Sequence, residues 1–191
     1  MAVKLNRLLI LGGSGFIGKA VVKEALLKNY KITIISFKKK KFQFNKVKYI
    51  YIDLKNYNGL YKKLNKKEFD YIINLSGNIN HNKFENRGYE IIEDHFNGLV
   101  NVLSVINLKK IKKIIQIGTS DEYGNNKSPQ KEIEINNFTS VYSFAKNTSY
   151  NFLKMLNFTS NINFTYIRLY LVYGPNQKED RLIPYVINSC I

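Results

Sequence analysis

The chain is poor in cysteine and in acidic residues, and it has no long apolar run. Its one cysteine, Cys190, cannot form an intrachain disulfide, which fits a reducing compartment. No segment approaches the roughly 20 apolar residues of a membrane-spanning helix, so no membrane contact is expected. A basic start followed by an apolar stretch mimics a signal peptide. Gly12, Gly13 and Gly15 interrupt that stretch and no clear cleavage site follows, so a cytoplasmic protein is expected. The two histidines, His81 and His95, are not spaced as metal ligands and have no cysteine partners. Both read as surface or locally satisfied residues, and no metal site is expected. There is no nucleophilic serine elbow, repeat or low-complexity linker.

Acid is scarce: 14 Asp and Glu stand against 30 Lys and Arg, a formal net charge of +16. Such a field suits nucleic acid, an anionic membrane or an anionic small substrate. The lysines are scattered, apart from Lys38 to Lys41, and asparagine, isoleucine and tyrosine are abundant with them. That pattern is what a bias towards AT-rich codons produces. Nucleic acid is therefore not an expected partner.

What remains is enough for one globular domain of 191 residues, 45% apolar, with little left over. Short β-branched runs lie at 8–11, 32–35, 47–52, 71–75, 114–117 and 164–171. They are apolar on both faces, as buried parallel strands are. Helical patterns lie between them, at 16–28, 58–64, 89–108 and 140–156. In the third, Ile92, Phe96, Leu99, Leu103 and Ile106 recur at spacings of three and four. Ser140 reads as the N-cap of the fourth. The alternation predicts an α/β fold, a doubly wound parallel sheet of the Rossmann type.

Gly12-Gly13-Ser14-Gly15-Phe16-Ile17-Gly18 joins the first strand to the first helix. Gly12 allows the tight turn, Gly15 a close approach to a pyrophosphate, and Gly18 close helix–strand packing. The helix N-terminus offers free N–H groups to phosphate. The loop, including Ser14, Phe16 and Ile17, is thus a candidate dinucleotide cradle. Beyond the second strand stands Ile35-Ser36-Phe37-Lys38-Lys39, with no carboxylate to accept from a ribose 2′-hydroxyl. Ser36 with Lys38 or Lys39 can pair a 2′-phosphate instead. NADP(H) is expected in preference to NAD(H). Asp53, after the third strand, is a candidate acceptor for the adenine amino group, or else a turn aspartate.

Tyr142 and Lys146 are four apart on a predicted helix and share one face. A nearby ammonium would lower the phenol's pKa, making Tyr142 a general acid/base. Thr119 falls at the end of the fifth strand, where such sheets bind ligands, and its hydroxyl can hold the same substrate oxygen.

These motifs occur in order with Asp53-Leu54, Asn74-Leu75-Ser76-Gly77, Gly118-Thr119-Ser120-Asp121-Glu122-Tyr123-Gly124 and Arg168…Tyr173-Gly174-Pro175. Together they resemble the extended short-chain dehydrogenase/reductases, specifically the nucleotide-sugar epimerase/dehydratase family. The resemblance implies a catalytic triad of Thr119, Tyr142 and Lys146, supported by Asn97. It implies cofactor contacts at Leu54 and Leu75 as well, and substrate contacts at Ser120 and Asp121. A nucleotide-diphosphate sugar is the implied substrate. A homodimer built on a four-helix bundle is implied too, one that would bury the stripe from Ile92 to Ile106.

Dehydratases of the family carry Thr-Asp-Glu or Thr-Ser-Glu. Thr119-Ser120-Asp121 has the shorter acid, with Glu122 one place later, either pointing elsewhere or part of a solvated acidic turn. A 4-keto-sugar reductase or epimerase of surface-polysaccharide synthesis is expected ahead of a 4,6-dehydratase. Members usually continue well beyond the Tyr-Gly-Pro run, so 1–175 is read as the cofactor domain and 176–191 as the start of an incomplete substrate lobe. A non-catalytic dinucleotide-binding module is the rival reading.

Overall fold

The computed structural model describes residues 5–41, 43–134 and 137–190. Six strands form one sheet: β1 (Arg7–Leu11), β2 (Lys31–Ser36), β3 (Lys48–Tyr51), β4 (Tyr71–Asn74), β5 (Lys113–Thr119) and β6 (Phe164–Leu169). Their order is β3-β2-β1-β4-β5-β6, and every neighbouring pair is parallel. This is the doubly wound α/β sheet that the alternation predicts. Strand order reverses between β1 and β4, and the crevice at that reversal is where such sheets take ligands.

The pleat sends alternate side chains to opposite layers. Leu9 and Leu11 of β1 join Leu60, Leu64, Leu99, Leu103 and Leu153 in one core. Leu8 and Ile10 join Val22, Ala25, Ile32 and Ile34 in the other. Burying each such side chain contributes roughly 1.5–3 kcal/mol, which anchors β1 as the central strand. The first layer is built by α2 (Tyr57–Leu64), α4 (Gly98–Val105) and α5 (Val141–Ser160), the second by α1 (Phe16–Leu27).

The predicted 89–108 helix is less regular than its periodicity. It runs as α3 (Tyr89–Ile92), a π-helical turn Glu93–Asn97 and α4. Leu99, Leu103 and Ile106 of its stripe are buried in this chain's own core. The expectation that a second copy buries those three is thereby corrected, because this chain's own core covers them.

α6 (Leu182–Ser189) has no counterpart among the predicted helices. Pro184 masks it in the sequence, yet Pro184 falls in the first turn, where a missing N–H costs little. None of its residues is buried, and Leu171, Tyr173, Leu182 and Tyr185 are all more than half exposed.

Candidate active site

The glycine loop leaves β1 and immediately meets the end of β4. Gly12 has φ +77°, and a Cβ there would lie 2.8 Å from the Leu75 carbonyl oxygen. A Cβ on Gly18 would lie 2.6 Å from the Gly12 carbonyl oxygen. Neither position admits a side chain, so the loop closes tightly and α1 packs against it. Gly15 is the N-cap of α1 and brings no side chain to cap it. The first N–H groups of α1 therefore point outward without a side-chain acceptor, and they fit a pyrophosphate.

The Ser14 and Ser36 hydroxyls are 2.6 Å apart, tying the cradle to the end of β2. Phe16 and Ile17 are half-buried at the start of α1. Lys38 and Lys39 are exposed just beyond Ser36, with Lys38 Nζ 5.4 Å over the Phe37 ring. Asp53 Oδ1 accepts from the Lys55 N–H at 2.9 Å, a turn contact of its own. Leu54 packs on the core against Gly98, and Leu75 on the opposite core.

Thr119, at the end of β5, is buried and caps the 3₁₀ turn Ser120–Tyr123. Ser140 caps α5, accepting from the Ser143 N–H at 3.1 Å. That start aims Tyr142 and Lys146 at the end of β5. Both are buried, and Lys146 Nζ donates to the Ile117 carbonyl at 3.1 Å and lies 5.8 Å over the Tyr142 ring. Thr119, Tyr142 and Lys146 thus converge at the C-terminal end of β5, and the glycine loop leaves the C-terminal end of β1 on the same side of the parallel sheet.

The electrostatics differ from the expectation. Burial, with the Asp121 and Glu122 carboxylates adding to it, pushes the Tyr142 phenol up to about 12. A hydrogen bond from Thr119 works the other way and loses. Burial brings Lys146 down to about 8, so it is still mostly charged at neutral pH, but burial and the two carboxylates decide the direction of the phenol's shift.

Glu122 is not a solvated turn residue. It is fully buried and gathers four donors: the Thr119 N–H at 2.9 Å, Tyr166 Oη at 2.7 Å, Asn147 Nδ2 at 3.3 Å and Arg168 Nε at 3.2 Å. A Cβ on Gly118 would lie 2.6 Å from Glu122 Oε1, so the glycine makes room for the carboxylate. Arg168 is the structural partner of this acid. Glu122 thus positions Thr119 from behind, a role its one-residue offset from the dehydratase pattern conceals.

His95 is buried against Tyr142, ring centroids 5.1 Å apart, and is not a surface residue. Nε2 lies 3.0 Å from the Asn78 carbonyl, so it carries the proton and donates. Nδ1 is buried with no partner. Burial brings this imidazole down to about 3, so it stays neutral. Asn97, two residues on, is exposed to solvent. Of the two sequence readings of His95, surface or locally satisfied, the second fits its bond to Asn78; the signal for burial was its place in the apolar register, one turn before Leu99. Ser120 and Asp121 lie beside Thr119, half-exposed.

Among the described residues, no helix is long and apolar enough to cross a membrane. The model of the NAD dependent epimerase/dehydratase family matches residues 8–191. A UDP-N-acetyl-alpha-D-glucosaminuronate decarboxylase of Bacillus cytotoxicus is 27% identical over 91% of this chain and 57% of its own length. A putative UDP-glucose 4-epimerase of Methanocaldococcus jannaschii is 28% identical over 89% of this chain and 57% of its own. The chain therefore spans a little over half the length of these curated relatives. A UDP-N-acetylglucosamine 4-epimerase from Methanobrevibacter ruminantium, solved with UDP-N-acetylmuramic acid, superposes with a TM-score of 0.81 at 24% identity. That match covers 98% of this chain and 63% of the other, and it speaks to the fold.

Proposed function

The chain belongs to the NAD dependent epimerase/dehydratase family, and from that premise we propose that it carries the redox half of a nucleotide-sugar 4-keto reductase. The observation behind this reading is the convergence of Thr119, Tyr142 and Lys146 at the end of β5, on the same end of the sheet as the glycine loop. The substrate is a nucleotide-diphosphate sugar, and the positive field of the chain favours such an anion. When bound, the nicotinamide cofactor supplies or accepts the hydride.

The pyrophosphate rests on the N–H groups that open α1. Ser36, Lys38 and Lys39, with no carboxylate among them, support NADP(H) over NAD(H). Tyr142 Oη donates its proton to the ketone oxygen as hydride reaches the carbon, and Thr119 Oγ1 donates a hydrogen bond to the same oxygen. The phenol is protonated at neutral pH, the form that reduction needs, while burial makes it a weaker acid than a free tyrosine. Lys146, anchored on the Ile117 carbonyl, would hold the cofactor ribose. Residues 1–175 form the cofactor domain and 176–191 begin the substrate lobe. A homodimer through α3, α4 and α5 would cover Tyr89, Phe144 and Met155, which are exposed in the single chain.

An epimerase reading draws support from the Methanocaldococcus jannaschii relative and uses the same three residues in both directions. The test is single-turnover oxidation of NADPH by a nucleotide 4-keto-6-deoxyhexose. Tyr142→Phe is expected to slow it roughly 10²–10⁴-fold while cofactor affinity holds. A Tyr142→Phe rate close to wild type would overturn the assignment.

A further inference from the structure

A cavity of about 640 Å3 opens beside Tyr142, lined by His81, Lys83, Glu85, Phe138, Thr139 and Ser140, among others. The His81 ring meets Tyr142 at an angle of 64°, centroids 5.3 Å apart. His81 Nδ1 lies 3.7 Å from Asp121 Oδ2, longer than a hydrogen bond but within the range that closes when a ligand enters. Asp121 is itself held in place, its N–H donating to Thr119 Oγ1 at 3.3 Å. Thr119, Tyr142, Asp121 and His81 are thus linked by successive contacts, and of the four it is His81 that lines the cavity.

Hydride transfer at the ketone carbon uses only the first two of these. Any reaction at the neighbouring carbon needs a proton acceptor as well, and Tyr142 is unsuited to that role because its phenol keeps its proton. Lys146 is committed to the Ile117 carbonyl. His95 Nε2 is committed to Asn78, and its Nδ1 faces Gly77: a Cβ there would lie 2.1 Å from it. Lys83 and Glu85 line the cavity and are exposed, as His81 is, but among the described residues no ring or polar contact joins either of them to Tyr142. Among the described residues, His81 is the one that both touches Tyr142 and carries a carboxylate at its Nδ1.

We propose that His81, oriented by Asp121, is a second acid–base group of this site and moves the proton on the carbon next to the substrate ketone. The proposal rests on the reading of the site as acting on a nucleotide 4-keto sugar. With Nδ1–H turned towards Asp121, the Nε2 lone pair is the acceptor. Nε2 takes the carbon-bound proton. The C–H electron pair forms a carbon–carbon double bond, and the carbonyl pair moves onto the oxygen held by Tyr142 and Thr119. The imidazolium so formed faces Asp121, which stabilises it. Return of the proton restores the ketone. Delivery of that proton to a hydroxyl on the next carbon instead releases water and leaves an enone. No electron enters or leaves, so no oxidant is needed.

The test uses the whole chain with NADP+ and a UDP- or dTDP-linked 4-keto-6-deoxyhexose in heavy water. Loss of the proton signal at the carbon next to the ketone is followed by NMR, and hydride transfer from NADPH is measured in parallel. Wild type is expected to exchange that proton far faster than buffer does. His81→Gln and Asp121→Asn are expected to lower the ratio of exchange to hydride transfer 100-fold or more. Hydride transfer without catalysed exchange in wild type, or an unchanged ratio in His81→Gln, overturns this proposal alone. Absence of both hydride transfer and ligand binding overturns it together with the reading it rests on.

Discussion

Replacing Glu122 by glutamine keeps the shape of the side chain and removes its charge. Glu122 Oε1 accepts from the Thr119 N–H and from Tyr166 Oη, at 2.9 and 2.7 Å. Oε2 accepts from Asn147 Nδ2 and Arg168 Nε, at 3.3 and 3.2 Å. Glutamine can serve only one of these pairs as acceptor. If its oxygen stays with Thr119, its amide N–H groups face Asn147 and Arg168, donor against donor. The Arg168 side chain is 8% exposed, so its guanidinium then loses a buried counter-ion. Breaking a buried pair from one side costs about 3–5 kcal/mol, a large share of the 5–15 kcal/mol that holds a domain together. Equilibrium urea unfolding with an unchanged m-value is the assay. Arg168→Met, which also removes the charge, gives the second corner of a cycle. The double variant is expected to cost less than the sum of the singles by about 1–3 kcal/mol. A loss below about 1 kcal/mol in Glu122→Gln, or strict additivity, would refute the hub.

Gly77 has φ +115°, and a Cβ there would fall 1.8 Å from His95 Cε1. Gly77→Ala is expected to destabilise the fold by at least about 2 kcal/mol, through backbone strain and the clash together. Adding His95→Ala should relieve part of that loss in thermal melts, and a neutral Gly77→Ala would show that the imidazole does not fill this space. Lys146, brought down to about 8 from its ordinary 10.5, binds fewer protons folded than unfolded between those values. Its contribution therefore raises stability as pH climbs from 8 towards 10, by at most roughly 3 kcal/mol, and Lys146→Met should flatten that rise. Tyr142 is shifted the other way and destabilises only above its ordinary value of 10.0. Ser36→Asp places a carboxylate where the 2′-phosphate is proposed to bind, and titration should show NADH overtaking NADPH; an unmoved preference would contradict the NADP(H) assignment.

The sheet and the cradle were legible because their signals are local. β-branched runs, glycines at fixed offsets and the Ser140 cap each act within a few residues, and each lies where the pattern puts it. Glu122 was not legible, because its burial depends on Tyr166 and Arg168 from a strand more than 40 residues away. The pKa of Tyr142 was misjudged for a related reason. Helical spacing places Lys146 on the same face, but the depth of burial that raises the phenol and lowers the lysine is a property of the packed core. The pairing of His81 with Asp121 spans two loops, and no periodicity records it.

The most direct test is the melting temperature of the 191-residue chain titrated with NADPH and NADH, beside the variant Gly15→Asp. Gly15 has φ −77°, which any residue adopts, and an aspartate there can cap α1 while placing negative charge where the pyrophosphate would rest. A ligand that binds only the folded chain adds about 2.7 kcal/mol at 100 times its Kd. The account predicts a saturable rise for wild type, larger with NADPH, and no rise for a folded Gly15→Asp. No rise in wild type with either cofactor, or an equal rise in the variant, would contradict it.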